Sequence, residues 1–412
     1  MTGMQCAILI GGMGTRLGDL VQNCPKPMLP VAGRPFVVHL IENLARFGFD
    51  DFRLLSGYRS DVVQAYFDSA PDVVHRLGVT VRVVTEPEPL GTAGALRHAY
   101  AQLAPEFLLL NGDSYFDFNV LDLASWPVAG PWLARMALRQ VPDASRYGVV
   151  SLNAGDAVTA MNERPSAPGS GLINGGVYWL RRDILASIPP GESSLERTVF
   201  PALAQQGLLR GRIYDGFFLD IGIPEDYRAS QLLMAERRRP AVFFDRDGVL
   251  NHDDGYTHRP EDFHWNDGAI QAIRQVNDRG WYAFVVTNQS GVARGFYAEE
   301  DVVRLHRWMN EQLRLHGAHI DDFRYCPDHP DGTVPRYAKV SDWRKPAPGM
   351  LLDLIKTWPI DVAASVLIGD KDIDIEAAER AGLAGRLYRG GDLAVLVRQE
   401  LERRTASPSD PG

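Results

Sequence analysis

The sequence is poor in cysteine, in long apolar runs and in positive charge. Its three cysteines, Cys6, Cys24 and Cys326, are too few and too scattered for a disulfide framework. No apolar run approaches the roughly 20 residues that cross a bilayer, and no charged-then-apolar leader opens the chain. Acidic residues (52) outnumber basic ones (43), which argues against a nucleic-acid binder. We therefore predict a cytoplasmic protein with no membrane or nucleic-acid partner, in which any phosphate site is local.

The length and the apolar pattern predict two α/β domains. At 412 residues the chain exceeds the usual size of one hydrophobic core. Short apolar runs alternate with helix-like stretches, as in buried parallel strands separated by helices. These runs cover residues 7–10, 52–55, 79–84, 107–110, 242–244, 283–286 and 366–368. Each domain should be a mainly parallel sheet flanked by helices.

The boundary is expected at a basic helix end, Glu236 to Arg239, which Pro240 closes. We interpret these arginines as a solvated helix end rather than an anion site. The predicted domains are residues 1–236 and 237–404. Residues 405–412 (TASPSDPG) have the composition of a disordered tail.

A glycine-rich loop follows the first predicted strand, with the sequence Gly11-Gly12-Met13-Gly14-Thr15-Arg16-Leu17. Glycines let the backbone approach an anion, although such turns also serve plain packing. Lys26 follows in the proline-stiffened segment Pro25-Lys26-Pro27-Met28-Leu29-Pro30. A cation held in a stiff loop near a glycine turn indicates a site for a polyphosphate.

This combination resembles the signature of the sugar-1-phosphate nucleotidyltransferase family, whose fold is Rossmann-like. The resemblance covers residues 4 to 230 and continues through further motifs in the family's order. They are Glu86, Leu90-Gly91-Thr92-Ala93-Gly94-Ala95, Asn111-Gly112-Asp113, Glu163-Arg164-Pro165, Asn174-Gly175-Gly176-Val177-Tyr178 and Asp220-Ile221-Gly222.

The resemblance implies roles for these residues in the transfer of a nucleotidyl group to a sugar phosphate. Arg16 and Lys26 would be the catalytic cations that clamp the triphosphate, and Asp113 and Asp220 would bind Mg²⁺. Without the resemblance, Asp113 could equally be a turn or cap and Asp220 a solvated loop acid. The remaining residues would contact nucleotide or sugar, with the segment from Gly91 to Gly94 against the base or ribose. This set comprises Gly11, Gly12, Gly14, Thr15, Glu86, Gly91, Thr92, Gly94, Asn111, Glu163, Arg164, Asn174 and Gly175.

One position departs from the family pattern. Many relatives have Glu-Lys-Pro where this chain has Glu163-Arg164-Pro165, and arginine offers a bidentate fork where lysine offers a point charge. The change bears on sugar preference more than on phosphate binding. As a whole, the first half resembles the guanylyltransferases that act on heptose 1-phosphate or mannose 1-phosphate.

The second half places polar motifs after its predicted strands. Asp245 and Asp247 follow residues 242–244, Thr287 follows 283–286, and Asp370 follows 366–368. Two acids in one loop also occur in plain turns, but ligands collect at the carboxyl ends of parallel strands. One carboxylate could attack phosphorus while the other gives a proton to the leaving oxygen. The cations of Arg344-Lys345-Pro346 could bind the phosphate.

These motifs resemble the haloacid dehalogenase superfamily, and within it the D-glycero-D-manno-heptose 1,7-bisphosphate phosphatases. The resemblance implies that Asp245 is the nucleophile and Asp247 the acid and then base, while Thr287 and Lys345 stabilise the phosphoryl group. It also implies a Mg²⁺ site of Asp245, Asp247 and Asp370. Substrate contacts would come from Asn288, Gln289, Ser290, Arg294, Arg344 and Lys371, of which Arg344 and Lys371 would meet the second phosphate. Asp372 and Asp374 could equally serve to cap the next helix.

The zinc ligands that this branch often carries are largely missing. The branch uses a Cys-x-His pair and a Cys-x-Cys pair, where this chain has Cys326-Pro327-Asp328-His329 and Ser341-Asp342-Trp343. A lone cysteine with a nearby histidine does not form a closed tetrahedral zinc site. We predict Mg²⁺ in both domains and no zinc, with Cys326 as a small buried residue.

Together the two resemblances predict a bifunctional enzyme of GDP-heptose biosynthesis that feeds lipopolysaccharide, capsule or another surface glycan. The second domain would remove the 7-phosphate of heptose 1,7-bisphosphate, and the first would join heptose 1-phosphate to GMP from GTP with release of pyrophosphate. The partners would be these small molecules, and a homo-oligomer is compatible with the sequence. The alternative is a mannose-1-phosphate guanylyltransferase, or another sugar-1-phosphate nucleotidyltransferase, fused to a phosphatase of different specificity. In a further alternative, one half is a regulatory module that binds sugar nucleotide without turnover.

Overall fold

The chain forms two compact units, Met1–Glu236 and Arg237–Gly412. The computed structural model describes residues 3–12, 14–69, 71–162 and 168–405. The predicted tail lies outside the described residues from 406 onward. Both units are sheets flanked by helices, which confirms the predicted fold class. Within the described part of the chain, no helix has the length and apolar character that a membrane crossing requires.

The strands of the first unit form a nine-stranded sheet and two small antiparallel ribbons, β2 with β3 and β7 with β13. The strands are β1 Met4–Leu9, β2 Pro30–Val31, β3 Arg34–Pro35, β4 Phe49–Ser56, β5 Thr80–Thr85, β6 Glu106–Asn111, β7 Ser114–Asp117, β8 Ala134–Val141, β9 Val149–Leu152, β10 Val158–Asn162, β11 Gly171–Arg181, β12 Leu209–Ile213 and β13 Phe217–Asp220. The helices are α1 Phe36–Ala45, α2 Ser60–Ser69, α3 Pro71–Leu77, α4 Gly91–His98, α5 Val120–Ser125, α6 Phe200–Gln205 and α7 Pro224–Ala235.

The large sheet is mixed. Strands β5, β4, β1 and β6 are parallel neighbours and contain the predicted apolar runs of the first half. Beyond β6 the sheet turns antiparallel, because β11 runs against β6, β8 and β9. Two apolar clusters cover its faces, one with α1 and the other with α4 and α6. Burial on both faces explains why the parallel strands read as continuous apolar runs.

The second unit is a five-stranded parallel sheet in the order β16-β15-β14-β17-β18. Its strands are β14 Ala241–Phe244, β15 Tyr282–Asn288, β16 Asp322–Cys326, β17 Val366–Gly369 and β18 Ala384–Leu387. Its helices are α8 Ala269–Asp278, α9 Glu299–Leu315, α10 Gly349–Thr357, α11 Asp372–Arg380 and α12 Leu393–Thr405. The chain order reverses on the two sides of β14. The carboxyl ends of β14, β15 and β17 therefore open onto one edge, where ligands bind in such sheets.

Candidate active sites

The glycine loop of the first unit leaves the carboxyl end of β1. A Cβ on Gly11 would lie 3.0 Å from Glu86 Oε1 and 3.0 Å from the amide of Gly57, so the backbone passes close to the neighbouring loops. Gly14 has φ +61°, a conformation that favours glycine. Instead of an α-helix, a 3₁₀ segment over Thr15–Val21 follows, broken at Gly18. The amides available to an anion are therefore those of the loop itself.

Two aspartates and a buried lysine meet beside this loop. Lys26 is 6% exposed, and its Nζ lies 2.5 Å from Asp113 Oδ2. Asp113 immediately precedes β7, whose antiparallel partner β13 places Asp220 opposite Ser114. Burial and then the charge of Asp113 raise the pKa of Asp220, while Lys26 opposes the shift. The carboxylates of Asp113 and Asp220 therefore repel each other. A divalent cation bound between them would relieve this repulsion.

Two cavities adjoin this cluster. The larger, of about 690 Å³, contains the glycine loop, Lys26 and Glu86 in its walls. The smaller, of about 290 Å³, contains Asp220 and Asn174. The walls of both include Arg16, Asn111, Asp113, Glu196 and Gly222. The two cavities therefore adjoin at these shared residues, which include Asp113.

Glu86 closes one end of the larger cavity. Its Oε2 accepts a hydrogen bond of 3.0 Å from the amide of Leu90, and its Oε1 lies over Gly11 and Gly57. Burial raises the pKa of this carboxyl group, and the Leu90 amide opposes the shift. The carboxylate is an acceptor that faces glycine backbone, which leaves room for a flat ligand.

Contacts with the protein's own backbone require glycine at positions 91 and 94, whereas the prediction attributed these glycines to contact with the base or ribose. A Cβ on Gly91, where φ is +70°, would lie 2.4 Å from the carbonyl oxygen of Ser193, and a Cβ on Gly94 would lie 2.8 Å from that of Gly191. The protein's own backbone therefore excludes side chains there. Gly94 is buried in α4, whereas Gly91 and Thr92 line the larger cavity.

Other predicted residues of the first half contact the protein as well as the cavities. Asn174 donates to the Tyr178 hydroxyl at 2.6 Å and accepts from the Gly176 amide at 3.0 Å. A Cβ on Gly175 would lie 2.5 Å from the Phe116 ring, so this glycine serves packing. Thr92 donates to Glu196 at 3.0 Å. Glu163 and Arg164 lie outside the described residues, as does the side chain of Thr15.

The smaller cavity includes residues that the sequence analysis missed. Arg146 and Tyr147 line it, and Arg146 pairs with Asp226 at 2.5 Å. Glu196, in a π-helical turn over Leu195–Val199, lines both cavities. In the sequence, the one indication of this part of the site is Tyr147 next to Gly148. An aromatic residue beside a glycine is too common to identify a binding site by itself.

The second site centres on a buried lysine between two carboxylates. Lys345 Nζ lies 2.7 Å from Asp245 Oδ1 and 2.6 Å from Asp374 Oδ1, and it donates to the carbonyl of Val286 at 3.0 Å. Burial opposes the charge of Lys345, but the two aspartates outweigh it and raise its pKa. Burial also raises the pKa of Asp245 to about 7, which Lys345 opposes and Asp374 reinforces. A group whose pKa is this far from its ordinary range is typical of a catalytic position.

Asp370 joins Asp245 and Asp374 in a group of carboxylates. One carboxylate oxygen from each of the three lies within 4.8 Å of the other two. Among the described residues, no other three Cys, His, Asp or Glu side chains come this close together. Asp370 Oδ1 is buried without a hydrogen-bond partner in the structure. A Cβ on Gly248 would lie 2.4 Å from Asp370 Oδ2, so glycine is required in that turn. Such a set of oxygens, one of them unsatisfied, fits Mg²⁺.

Asp247 lies among hydrogen-bond donors of the protein. The buried Arg246 donates to both of its oxygens at 2.8 to 3.0 Å. Gln289 and Asn251 also donate to it, at 2.9 and 3.0 Å. Asp374, and not Asp247, joins Asp245 and Asp370 in the carboxylate group described above, and a role of Asp247 as a metal ligand stays a prediction. These donors fix the orientation of Asp247 beside Asp245.

Other predicted residues come together at the same edge. Gln289 Nε2 donates to the Thr287 hydroxyl at 2.9 Å. Asn288 and Lys345 exchange two hydrogen bonds of 3.1 Å, from the Asn288 side chain to the Lys345 carbonyl and from the Lys345 amide back. The Ser290 carbonyl accepts from the Arg294 amide at 3.1 Å. The loop after β15 is thereby joined to Lys345.

Arg294 and Arg344 form a pair of neighbouring cations. Burial lowers the pKa of Arg344, the nearby Cys326 opposes this shift, and Arg294 adds to it. Arg344 donates to the Asp328 carbonyl at 3.4 Å. The Nε of Arg294 is buried without a hydrogen-bond partner. Lys371, by contrast, pairs with Asp253 at 3.1 Å and with Asp370 at 3.5 Å. An anion can bind the arginine pair directly but would compete with two carboxylates for Lys371.

Asp374, for which the sequence left a helix cap as an equal alternative, belongs to this site. Its Oδ2 accepts from the Lys371 amide at 3.1 Å, as a residue in the first turn of α11 does when it caps a helix. Its Oδ1 pairs with Lys345. The cap that we considered is present, and the same side chain also belongs to the charged cluster.

Comparison with known proteins gives matches for both halves. The nucleotidyl transferase family model matches residues 6–237, and the HAD-hydrolase-like model matches residues 342–408. The chain is 35% identical over 228 residues to the D-glycero-alpha-D-manno-heptose 1-phosphate guanylyltransferase of Campylobacter jejuni, with 54% of this chain and 97% of that protein covered. It is 50% identical over 173 residues to the D-glycero-beta-D-manno-heptose-1,7-bisphosphate 7-phosphatase of Rhodopseudomonas palustris, with 41% of this chain and 96% of that protein covered.

A solved structure resembles the first half. It is HddC from Yersinia pseudotuberculosis, which is 29% identical and has a TM-score of 0.50, with 56% of this chain and 99% of that chain covered. A second crystal structure of HddC is a complex with GMP-PN.

Proposed function

Because the chain belongs to the nucleotidyl transferase family and its second half to the family of heptose-bisphosphate 7-phosphatases, we propose that it is a bifunctional enzyme of nucleotide-activated heptose biosynthesis. Residues 237–404 would remove the 7-phosphate of D-glycero-D-manno-heptose 1,7-bisphosphate. Residues 1–236 would then transfer GMP from GTP to heptose 1-phosphate and release pyrophosphate. The observation that carries the proposal is the presence of two charged clusters on one chain, each with the groups that one of these reactions needs.

The phosphatase reaction uses Asp245 as nucleophile. Its free oxygen attacks the 7-phosphorus, the bond from phosphorus to the sugar oxygen breaks, and Asp247 gives its proton to that oxygen. Asp247 then takes a proton from water, whose oxygen attacks the phosphorus of the aspartyl-phosphate; the bond from phosphorus to Asp245 breaks, which releases phosphate and restores the Asp245 carboxylate. Lys345 keeps a positive charge beside the nucleophile, since its ammonium lies 2.7 Å from Asp245. Thr287, which Gln289 orients, donates to the phosphoryl oxygens.

The arginine pair, Arg294 and Arg344, would bind the 1-phosphate of the bisphosphate. Arginine forks match phosphate oxygens, and among the residues that the structure describes neither guanidinium is ion-paired to a carboxylate. Binding at a distance from the scissile bond places the 7-phosphate at Asp245. This makes the substrate class a sugar that carries two phosphates.

The transferase reaction needs charge neutralisation more than covalent help. An oxygen of the sugar phosphate attacks the α-phosphorus of the nucleotide, and pyrophosphate leaves with the electron pair. Arg16 and Lys26 would neutralise the charge of the triphosphate. Arg16 is exposed, whereas Lys26 is buried and paired with Asp113. The amides of the glycine loop would bind phosphate oxygens.

Mg²⁺ fits both sites. Asp113 and Asp220 would hold it in the first unit, and Asp245, Asp370 and Asp374 in the second. When bound, it would neutralise charge on the reacting phosphates.

The order of the two reactions and the anomer follow from their chemistry. Relatives of the second half are named for either anomer, whereas the relative of the first half is named for the α anomer. Since the product of the phosphatase has to be the substrate of the transferase, we propose the α anomer for both. The phosphatase acts first.

Product analysis tests the proposal. Incubation of the full chain with the α-bisphosphate, GTP and Mg²⁺ should yield phosphate, pyrophosphate and GDP-heptose. Without GTP, phosphate and heptose 1-phosphate should accumulate, which separates the two steps. Release of phosphate with no sugar nucleotide from any nucleoside triphosphate would contradict the assignment of the first half. The β anomer and mannose 1-phosphate serve as alternative substrates.

Glu86 provides a test of the base. The Watson–Crick edge of guanine offers two adjacent N–H donors, which a carboxylate can accept together, whereas the other bases offer one. In Glu86→Gln, one acceptor becomes a donor that faces these groups. We expect kcat/KM for GTP to fall about tenfold to a hundredfold, the size of one bidentate base contact, with smaller changes for UTP and ATP.

Glu225→Gln is the matched control for this variant. Glu225 is exposed on α7 and lies 3.9 Å from Arg228, so the same loss of charge should leave nucleotide preference unchanged. Equal losses of Glu86→Gln with all nucleotides would show that Glu86 supports the loop and does not recognise the base.

A further inference from the structure

The loop from Cys326 to Trp343 has the position of a zinc loop but not the ligands of one. Cys326 is buried, and its Sγ makes a weak contact of 3.9 Å with the carbonyl of Asp328. Burial raises the pKa of this thiol. In the described part of the chain, no third Cys, His or acidic ligand lies close enough to complete a set with Cys326 and His329. The donors present therefore do not fit zinc.

A carboxylate bridge holds this loop to the unit. Glu299, the first residue of α9, accepts from the Tyr325 hydroxyl at 3.2 Å and from the Tyr337 hydroxyl at 2.5 Å. Tyr325 belongs to β16 and Tyr337 to the loop, so Glu299 ties three segments together. The hydrogen bond to Glu299 raises the pKa of Tyr337, and burial and Glu299 raise the pKa of Tyr325 to about 12. Both hydroxyls thus remain donors at neutral pH.

The same loop lies directly on the turn that contains Arg294. The amides of Thr333 and Val334 donate to the carbonyl of Ala293 at 2.8 and 2.9 Å, and the Thr333 hydroxyl donates to the carbonyl of Arg294 at 3.1 Å. A Cβ on Gly332 would lie 2.9 Å from both the Cβ and the carbonyl oxygen of Ala293. The two backbones are therefore in contact, and a shift of the loop would move Arg294.

The carbonyl to which Arg344 donates belongs to the loop as well. Arg344 bonds to Asp328, whose carboxylate lies 3.7 Å from Lys339 Nζ. His329 is fixed by the bond from its amide to the Tyr337 carbonyl at 3.0 Å. Arg294 and Arg344 therefore both contact the loop from Cys326 to Trp343, and Tyr337 holds this loop in place through its hydrogen bond to Glu299.

We propose that Glu299, by accepting hydrogen bonds from Tyr325 and Tyr337, is a positioning residue that closes this loop without zinc and fixes Arg294 and Arg344 for the second phosphate of the substrate. The proposal rests on the proposed phosphatase function. In this protein, the hydrogen bonds to Glu299 would hold the loop in place, as a bound zinc ion does in the heptose-bisphosphate phosphatases that carry one.

Tyr337→Phe in the full chain tests the bridge, since it removes one hydroxyl and keeps the ring. Loss of one hydrogen bond to a charged group should raise the amide exchange rates of residues 329–338 about tenfold. The KM for the sugar bisphosphate should rise by a similar factor. Hydrolysis of p-nitrophenyl phosphate, which has no second phosphate, should stay within about twofold. Glu299→Gln should change both readouts in the same direction.

Tyr388→Phe is the matched control. Its hydroxyl donates to the carbonyl of Gly391, away from this loop, so the same chemical change should leave exchange at 329–338 and the KM unaltered. Treatment of the wild-type chain with a chelator, followed by Mg²⁺, should leave the exchange profile unchanged.

Three results would overturn the proposal: stoichiometric zinc in the dialysed protein, unchanged exchange and KM in Tyr337→Phe, or equal losses with the bisphosphate and the p-nitrophenyl ester. A wild-type chain that cleaves the ester but not the bisphosphate would contradict the proposed substrate. The exchange measurement would still decide whether the bridge holds the loop.

Discussion

Replacement of Asp245 with asparagine is expected to lower phosphate release by about 10⁴-fold or more, because an amide cannot form the phosphorylated intermediate. The fold should survive. Lys345 keeps Asp374 as a partner at 2.6 Å, and burial already raises the pKa of Asp245 to about 7. A raised pKa means that the folded state disfavours the ionised form, a cost that grows as the pH rises from the ordinary value near 3.8 towards 7. The neutral amide removes that cost.

The measurement is phosphate release and nucleotidyl transfer on the same preparation, with the melting temperature as a check on folding. Nucleotidyl transfer to supplied heptose 1-phosphate should be retained. Glu379→Gln, which removes a carboxylate from the exposed face of α11, is the matched control and should keep both activities. Residual phosphatase activity above about a tenth of wild type would rule out Asp245 as the nucleophile. Loss of both activities would indicate coupling of the two units.

Asp220→Asn should lower nucleotidyl transfer by about 10²- to 10³-fold and leave phosphate release intact. The substitution removes a metal ligand, but it also removes the repulsion from Asp113 that contributes to the raised pKa of Asp220. The melting temperature in the absence of Mg²⁺ should therefore stay the same or rise. A large loss of activity in an equally stable protein distinguishes a role in chemistry from a role in folding.

Asp183→Asn provides the comparison, since Asp183 is exposed in a 3₁₀ segment of the same unit. Titration of Mg²⁺ adds a second readout. The variant should need a higher Mg²⁺ concentration for half-maximal activity, whereas the control should follow the wild type. Full activity of Asp220→Asn at the wild-type Mg²⁺ requirement would contradict its assignment.

The parallel strands could be predicted because they are buried on both faces. Every apolar run named from the sequence lies in or directly beside a strand, from β1 to β17, and the polar residues that follow them meet in the two sites. The antiparallel strands could not be predicted in this way. In β8, Arg135 is only 7% exposed because its guanidinium lies 3.9 Å from the centre of the Trp132 ring and donates to the carbonyls of Leu123 and Ala124. A charged side chain that such contacts hold in the core breaks the apolar pattern of the strand.

Motifs located the sites, but side-chain partners determined what each residue does. Asp374 satisfies the pattern of a helix cap, and only the fold brings Lys345 to its other oxygen. Gly91 satisfies the pattern of a ligand-facing glycine, while the nearest obstacle to a side chain is the carbonyl of Ser193. Each of these residues therefore has one role that its neighbours in the sequence indicate and a second that depends on a contact with a distant part of the chain. The sequence motif predicts the first role but not the second.

The pairing of β7 with β13 has a consequence for how the first unit is made on the ribosome. This ribbon brings Asp113 and Asp220 together, and in it the amide of Ile221 donates to the carbonyl of Asp113 at 3.0 Å. A nascent chain that ends before Phe217 has the glycine loop, Lys26 and Asp113 but lacks the second acid. The central strands can form early, yet nucleotide chemistry has to wait until nearly the whole unit has been synthesised, because this contact is distant in the chain. Truncated translation products should therefore be inert and unable to consume nucleotide.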